Sequence, residues 1–233
     1  MTEIYNIDYT QHVELIGTAH FTKRSINDAY KAIKYKNPED VALELDWRRY
    51  KKLDTMCQRC WKHRTCEQIC EFVAATDALE NVDTNIWLID MTEEEIRRRI
   101  TNNITSYERY NRRLPYLHIY EDPVQLWEMG FKDRVIQNSK RQIERNRKYR
   151  PTLWKVLIDE RNLLMAARLA CIASKNMSEK IKSKILTFVG AAHVEGIKKY
   201  LENPILIKND LKRYGLKYTE PFLIRRVSVE NAA

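Results

Sequence analysis

Glycine is scarce: the 233-residue chain holds five. All-β folds with many tight turns need more turn glycine, so the balance leans towards helix. No apolar run approaches the roughly 20 residues that cross a bilayer, so no transmembrane segment is expected. The opening Met1-Thr2-Glu3 is polar and acidic and lacks the apolar core of a secretory leader. The cytoplasm is therefore the expected location. What remains is a globular composition, with 44% apolar and 31% charged residues. Basic side chains outnumber acidic ones 41 to 32, a formal charge of +9. The length suffices for a sizeable core, in one domain of ordinary size or two small ones. Membrane, collagen-like and disordered classes are excluded. Composition alone is silent on activity.

The pattern along the chain predicts an α/β fold with a central, mostly parallel sheet. His12 to Ile16, ending at Gly17, alternates and is rich in branched residues, as a strand should be. A helix is expected from Ser25, carried by Ile26, Ala29, Tyr30 and Ile33, and ended by Asn37-Pro38. Val41 to Asp46 reads as a buried strand, Asn85 to Asp90 as a third, and residues 66–80 between them as helical. From Thr92, which can cap a helix with Glu95, to about residue 183 the chain reads almost only as helix. Asp122-Pro123 and Arg150-Pro151 open two of these helices, the second running from Thr152 to about Ser174. A strand at Ile185 to Val189, a helix at Val194 to Leu201 and a last strand at Phe222 to Val229 complete the layout. A single domain over residues 1–233 is expected, with a helical insertion at about 92–183.

One internal echo bears on function. Leu15-Ile16-Gly17-Thr18-Ala19-His20 and Phe188-Val189-Gly190-Ala191-Ala192-His193 share the pattern apolar-apolar-Gly-x-Ala-His. Each follows a predicted strand and precedes a predicted helix. Glycine permits a tight turn at the carboxyl end of a strand. The histidine then reaches the crevice above the sheet, where α/β proteins bind ligands. Two imidazoles converging there suit a divalent transition metal. Glu44 ends an apolar run, and a carboxylate on a buried strand needs a metal or an ion-pair partner such as Arg48 or Arg49. Asp46 is better placed to cap the following helix. Glu160 falls inside an apolar helical stripe of Leu153, Val156, Leu157, Leu164, Ala167 and Cys171, so it too needs a partner. Arg161 beside it could orient a carboxylate, stabilise an oxyanion or simply face solvent.

These blocks resemble the TraB family, which includes proteins named for pheromone shutdown and is related to the Tiki proteases and the erythromycin-esterase and ChaN-like group. The resemblance rests on IGTAHFTKRS from Ile16, NPEDVALELD from Asn37 and the WRRY that follows. Asp159-Glu160-Arg161-Asn162 and the segment Val189 to Ile197 continue it in family order. It implies an α/β fold with Gly-x-x-His turns at strand ends, flanking a metal-dependent hydrolytic site. Carried over, His20, Glu44 and His193 become metal ligands, and Glu160, Arg161 and Arg49 catalytic groups. The implied cofactor is a divalent ion such as manganese, cobalt or zinc. The implied substrate is a peptide or protein segment, and a homodimer could complete the site. The stretch from Leu114 to Pro151 is outside the resemblance.

Two further features stay open. Cys57, Cys60, Cys66 and Cys70 cluster around His63. They read as a structural zinc or iron–sulfur site, as disulfides, or as free thiols. Cys171 reads as core. Residues 134–150 carry seven basic side chains and one acidic one. That is a solvated helix face, or a surface for an anionic membrane or nucleic acid, although no nucleic-acid motif accompanies it. The expectation is a metal-dependent hydrolase, with a non-catalytic module that binds peptide or nucleic acid as the rival.

Overall fold

The computed structural model describes residues 7–20, 22–53, 55, 72, 75–76, 78–79, 84–110, 122–181 and 184–224. The four clustered cysteines and His63 lie outside them, so that part of the sequence reading does too. The strands are β1 (Val13–Thr18), β2 (Asp40–Leu43), β3 (Asn85–Leu88), β4 (Ile185–Gly190) and β5 (Phe222–Ile224). The helices are α1 (Lys23–Lys36), α2 (Glu93–Asn103), α3 (Ser106–Tyr110), α4 (Pro123–Glu128), α5 (Lys132–Tyr149), α6 (Pro151–Trp154), α7 (Arg161–Ser178), α8 (Val194–Glu202) and α9 (Ile205–Tyr214). Residues 47–53 are helical as well.

The sheet order is β1-β4-β2-β3-β5. The first four strands are parallel and β5 is antiparallel to β3. Alternation assigns the two faces. Val41, Leu43, Ile86, Leu88, Leu186 and Phe188 point to one side, where α1 supplies Ala29 and Ile33. Ala42, Trp87, Ile185 and Val189 point to the other, where α7 and α8 pack. A sheet covered on both faces explains why β2 and β4 read as continuous apolar runs rather than alternating ones. Thr187 in β4 and Asp40 at the start of β2 are buried polar exceptions, and Asp40 is the charged one. It accepts hydrogen bonds from Trp87 Nε1 at 2.6 Å and Asn176 Nδ2 at 2.8 Å, which ties α7 to the sheet.

Several boundaries differ from the sequence reading. Helix α1 starts at Lys23 because Thr22, not Ser25, takes the cap: its hydroxyl accepts the Ser25 N–H. The Ser25 hydroxyl instead accepts from the Ala19 backbone and from Trp127 Nε1. Helix α9 lies in a stretch with no sequence-based assignment; Gly215 ends it at φ 58°. Cys171 is half-buried rather than in the core. Between β3 and β4 the described elements are all helical, from Glu93 to Ser178. Among the described residues no helix is long and apolar enough to cross a membrane.

The expected long helix after Arg150 contains a wide turn. Lys155–Glu160 form a π-helix between α6 and α7. This shifts the helical register, and Leu157, expected in the apolar stripe, is exposed as a result.

Helix α2 shows the local logic. The Thr92 side chain accepts the Glu95 N–H at 3.2 Å, and three glutamates fill the first turn, where the helix dipole favours them. Thr92→Ala is expected to lower the unfolding free energy by about 1 kcal/mol, measurable as a shift of the urea midpoint at unchanged slope.

Candidate functional site

Four adjacent parallel strands each deliver one polar side chain just past their carboxyl ends. His20 lies two residues beyond β1, His193 three beyond β4, Glu44 one beyond β2 and Asp90 two beyond β3. Because the strands are parallel, all four ends open on the same crevice.

Gly190, the last residue of β4, marks its floor. A Cβ built there would lie 3.3 Å from Glu44 Oε2, 3.4 Å from His20 Nε2 and 3.7 Å from His193 Cδ2. The three residues expected to act as ligands are thus gathered around one backbone position, and the missing side chain keeps the space between them open. The Gly190 N–H donates to Glu44 Oε2 at 2.6 Å. The other carboxylate oxygen, Oε1, faces His193 Nε2 at 3.3 Å and accepts from Arg161 Nη2. The partner of Glu44 is therefore Arg161, and not Arg48 or Arg49, which lie closer in sequence. Arg48 is exposed and stands 3.5 Å from Glu94. His20 is exposed, with its ring edge-on to Phe72 at 5.5 Å between centroids, whereas His193 is buried.

Arg161 is held from behind. Its Nε and Nη2 donate to the two oxygens of Asp90 at 2.9 and 2.7 Å, a two-pronged grip that fixes the guanidinium plane. Asp90 also accepts from Arg49 Nη2 at 2.5 Å. Arg49 Nε donates to Asp46 at 2.5 Å, and Asp46 accepts the Arg48 and Arg49 N–H groups, capping the helical stretch as expected. The result is a buried chain of alternating charge: Glu44, Arg161, Asp90, Arg49, Asp46. Burial alone would raise the Asp90 carboxyl, but the two arginines outweigh it and hold it well below the usual carboxylate range. Burial would lower the Arg161 guanidinium, but Asp90 and Glu44 more than offset this and raise it. Burial pushes the His193 imidazole down, against the upward pull of Glu44. The balance favours the neutral ring.

Glu160 is taken up elsewhere. It is fully buried, and its oxygens accept from Arg99 Nε at 2.5 Å and Nη2 at 3.0 Å, with Lys155 Nζ at 3.6 Å. Three consecutive residues, the last of the π-turn and the first two of α7, thus serve four partners. Glu160 goes to Arg99, Arg161 to Asp90 and Glu44, and Asn162 to the ring of His193.

Asp90 went unnoticed as a site residue in the sequence, where it reads as the end of a strand. Its signal is the one that singled out Glu44: a carboxylate closing a buried apolar run. Asn162 and Gly196 gave no such signal.

The two Gly-x-Ala-His segments touch the same apolar cluster. Ala19 and Ala191 both pack against the cluster of Leu126, Trp127 and Val135 from α4 and α5. Glu128, ending α4, accepts the first backbone N–H groups of α1, from Lys23 at 2.5 Å and Arg24 at 3.0 Å. Small residues in the motifs let these helices approach the crevice.

A model of the TraB/PrgY/gumN family matches residues 73–204, more than half of the chain. The matched stretch includes Asp90, Glu160, Arg161, Asn162, Gly190 and His193, and begins after His20, Glu44 and Arg49. An uncharacterized protein of Methanocaldococcus jannaschii is 28% identical over 218 residues, an alignment covering 82% of this chain and 53% of that protein. The chain thus spans about half the length of this curated relative. No solved structure matches the chain.

Proposed function

The chain belongs to the TraB/PrgY/gumN family, and from that premise we propose that it is a metal-dependent hydrolase acting on peptides or protein segments. The observation that carries the reading is the gathering of His20, Glu44 and His193 around the bare backbone of Gly190. The donor set fits a divalent ion such as manganese, cobalt or zinc in kind, being two imidazoles and a carboxylate. The facing acceptors support the same fit. His193 Nδ1 is engaged by Asn162, so Nε2 turns a lone pair towards a Glu44 oxygen 3.3 Å away, and a cation reconciles the two. Among the described residues no group of three or more His, Cys, Asp or Glu side chains already stands in metal-holding geometry. Glu44 is at present satisfied by Arg161 and the Gly190 N–H, so a cation competes with Arg161 for it. When bound, such an ion supplies Lewis acidity, lowering the pKa of a water and polarising a carbonyl.

The remaining roles follow from what each side chain touches. Arg161, fixed by Asp90, offers positive charge to an oxygen that becomes negative during acyl transfer. Arg49 braces Asp90 from the other side. Glu160, which the resemblance makes a catalytic group, is suited to anchoring the π-turn through Arg99.

The test is cleavage of a peptide library by protein stripped of metal, then supplied with manganese, cobalt or zinc. Cleavage is expected to require the ion, and His20→Ala and His193→Ala are each expected to abolish it. Cleavage that persists in both variants without metal overturns the reading.

A second reading has its own observation. Helix α5 exposes Arg141, Arg147 and Lys148, a surface suited to a polyanion such as nucleic acid. It predicts steeply salt-dependent binding that survives both histidine substitutions and weakens when Arg141, Arg145 and Arg147 are neutralised.

A further inference from the structure

We propose that Asn162 is a positioning residue for His193: it keeps the ring proton on Nδ1, leaves Nε2 bare towards the crevice, and depends on Gly196 for the room to do so. The two nitrogens of the ring have unequal partners. Nδ1 lies 2.6 Å from Asn162 Oδ1, an atom that can only accept. Nε2 lies 3.3 Å from Glu44 Oε1, beyond the usual 2.7–3.2 Å of an N–H···O bond. The proton therefore sits on Nδ1. Both residues are buried, at 4% exposure, so water has little access to the pair.

Gly196 completes the device. It lies in the first turn of α8, three residues after His193. A Cβ there would fall 2.1 Å from Asn162 Nδ2 and 2.7 Å from Asn162 Cγ. No real side chain tolerates such contacts, so even alanine at 196 must push the amide off the ring. One helix supplies the acceptor, and the next supplies both the histidine and the gap that admits it. The use of the bare nitrogen rests on the reading of His193 as a cation ligand; the tautomer does not.

The tautomer is read directly from long-range ¹H–¹⁵N correlations of the His193 ring, on metal-free protein at a pH where the ring is neutral. In the wild type the unprotonated, pyridine-type nitrogen is expected to be Nε2. Asn162→Asp, which keeps an acceptor at the same place, is expected to leave the proton on Nδ1. Asn162→Leu removes the acceptor, and the pattern is expected to invert, with Nε2–H now donating to Glu44. Gly196→Ala is expected to invert it as well, although both members of the pair are present. A wild-type ring protonated on Nε2, as a half-turn of the Asn162 amide would give, overturns the proposal. So does an Asn162→Leu ring that keeps its proton on Nδ1. Manganese affinity is expected to fall about 10–100-fold in Asn162→Leu. Inversion without that loss upholds the tautomer and counts against the cation reading alone.

Discussion

Asp90→Ala is expected to cost about 3 kcal/mol of stability, roughly a hundredfold or more in the folded-to-unfolded ratio. Removing one member of a buried ion pair typically costs about 3–5 kcal/mol, because the other is left charged without its counter-ion. Here two guanidiniums lose the same carboxylate, Arg161 and Arg49. Each keeps one acid, Glu44 or Asp46, which places the effect at the lower end of that range. The Met91 N–H loses its acceptor too. Urea unfolding of Asp90→Ala and Asp90→Asn measures the cost. The pH dependence separates charge from packing. The folded carboxyl is depressed, so the unfolded chain takes up a proton first as the solution is acidified. The contribution is complete above about pH 5 and is lost as the pH falls below about 4, the unfolded value. The gap between wild type and Asp90→Asn is therefore expected to shrink between pH 5 and 3. A gap constant across that range would assign the loss to packing.

The second large effect is a reversal of sign. Gly196→Ala alone is expected to destabilise by about 1–3 kcal/mol, the usual cost of forcing extra volume into a packed site. In an Asn162→Ala background the same change is expected to stabilise, by about 0.5–1 kcal/mol. The two atoms that a Cβ would strike, Nδ2 and Cγ, are gone, the remaining Cβ at 3.3 Å needs only a small shift, and alanine is the better helix former. The two substitutions thus couple by about 1.5–4 kcal/mol, measured on four proteins in a double-mutant cycle. Additive changes would show that Asn162 yields freely and that Gly196 does not depend on it.

The sequence carried the strands and the crevice residues far better than their connections. β1, β2, β3 and β4 stand out because a sheet covered on both faces demands apolar runs, and a run closed by Gly or by a carboxylate marks its own end. That signal picked out Glu44, and it was equally present at Asp90. The order of the strands is a different matter. Nothing local says that β4 inserts between β1 and β2, because that pairing is chosen by packing over long separations. The π-turn is the other hidden element. Its residues, Lys155 to Glu160, have ordinary helix-forming types, so a regular 3.6-residue period was extended through them. That period put Leu157 and Glu160 in one stripe; the wider turn instead exposes Leu157 and turns Glu160 to Arg99. Asn162 was legible as a letter in a motif, but its partner is fixed only once α7 and α8 are packed.

The insertion of β4 beside β1 also sets a schedule for the nascent chain. Val13 pairs with Ile185, 172 positions further along. At roughly 5–20 residues per second, β1 waits on the order of 10–30 s on the ribosome for its partner. The β2–β3 pair has a closer spacing and needs no such wait. Both neighbours of β4 are made long before it, so the crevice, which needs His20 and His193 together, is complete only once β4 has been synthesised. A high contact order of this kind slows refolding in vitro for the same reason.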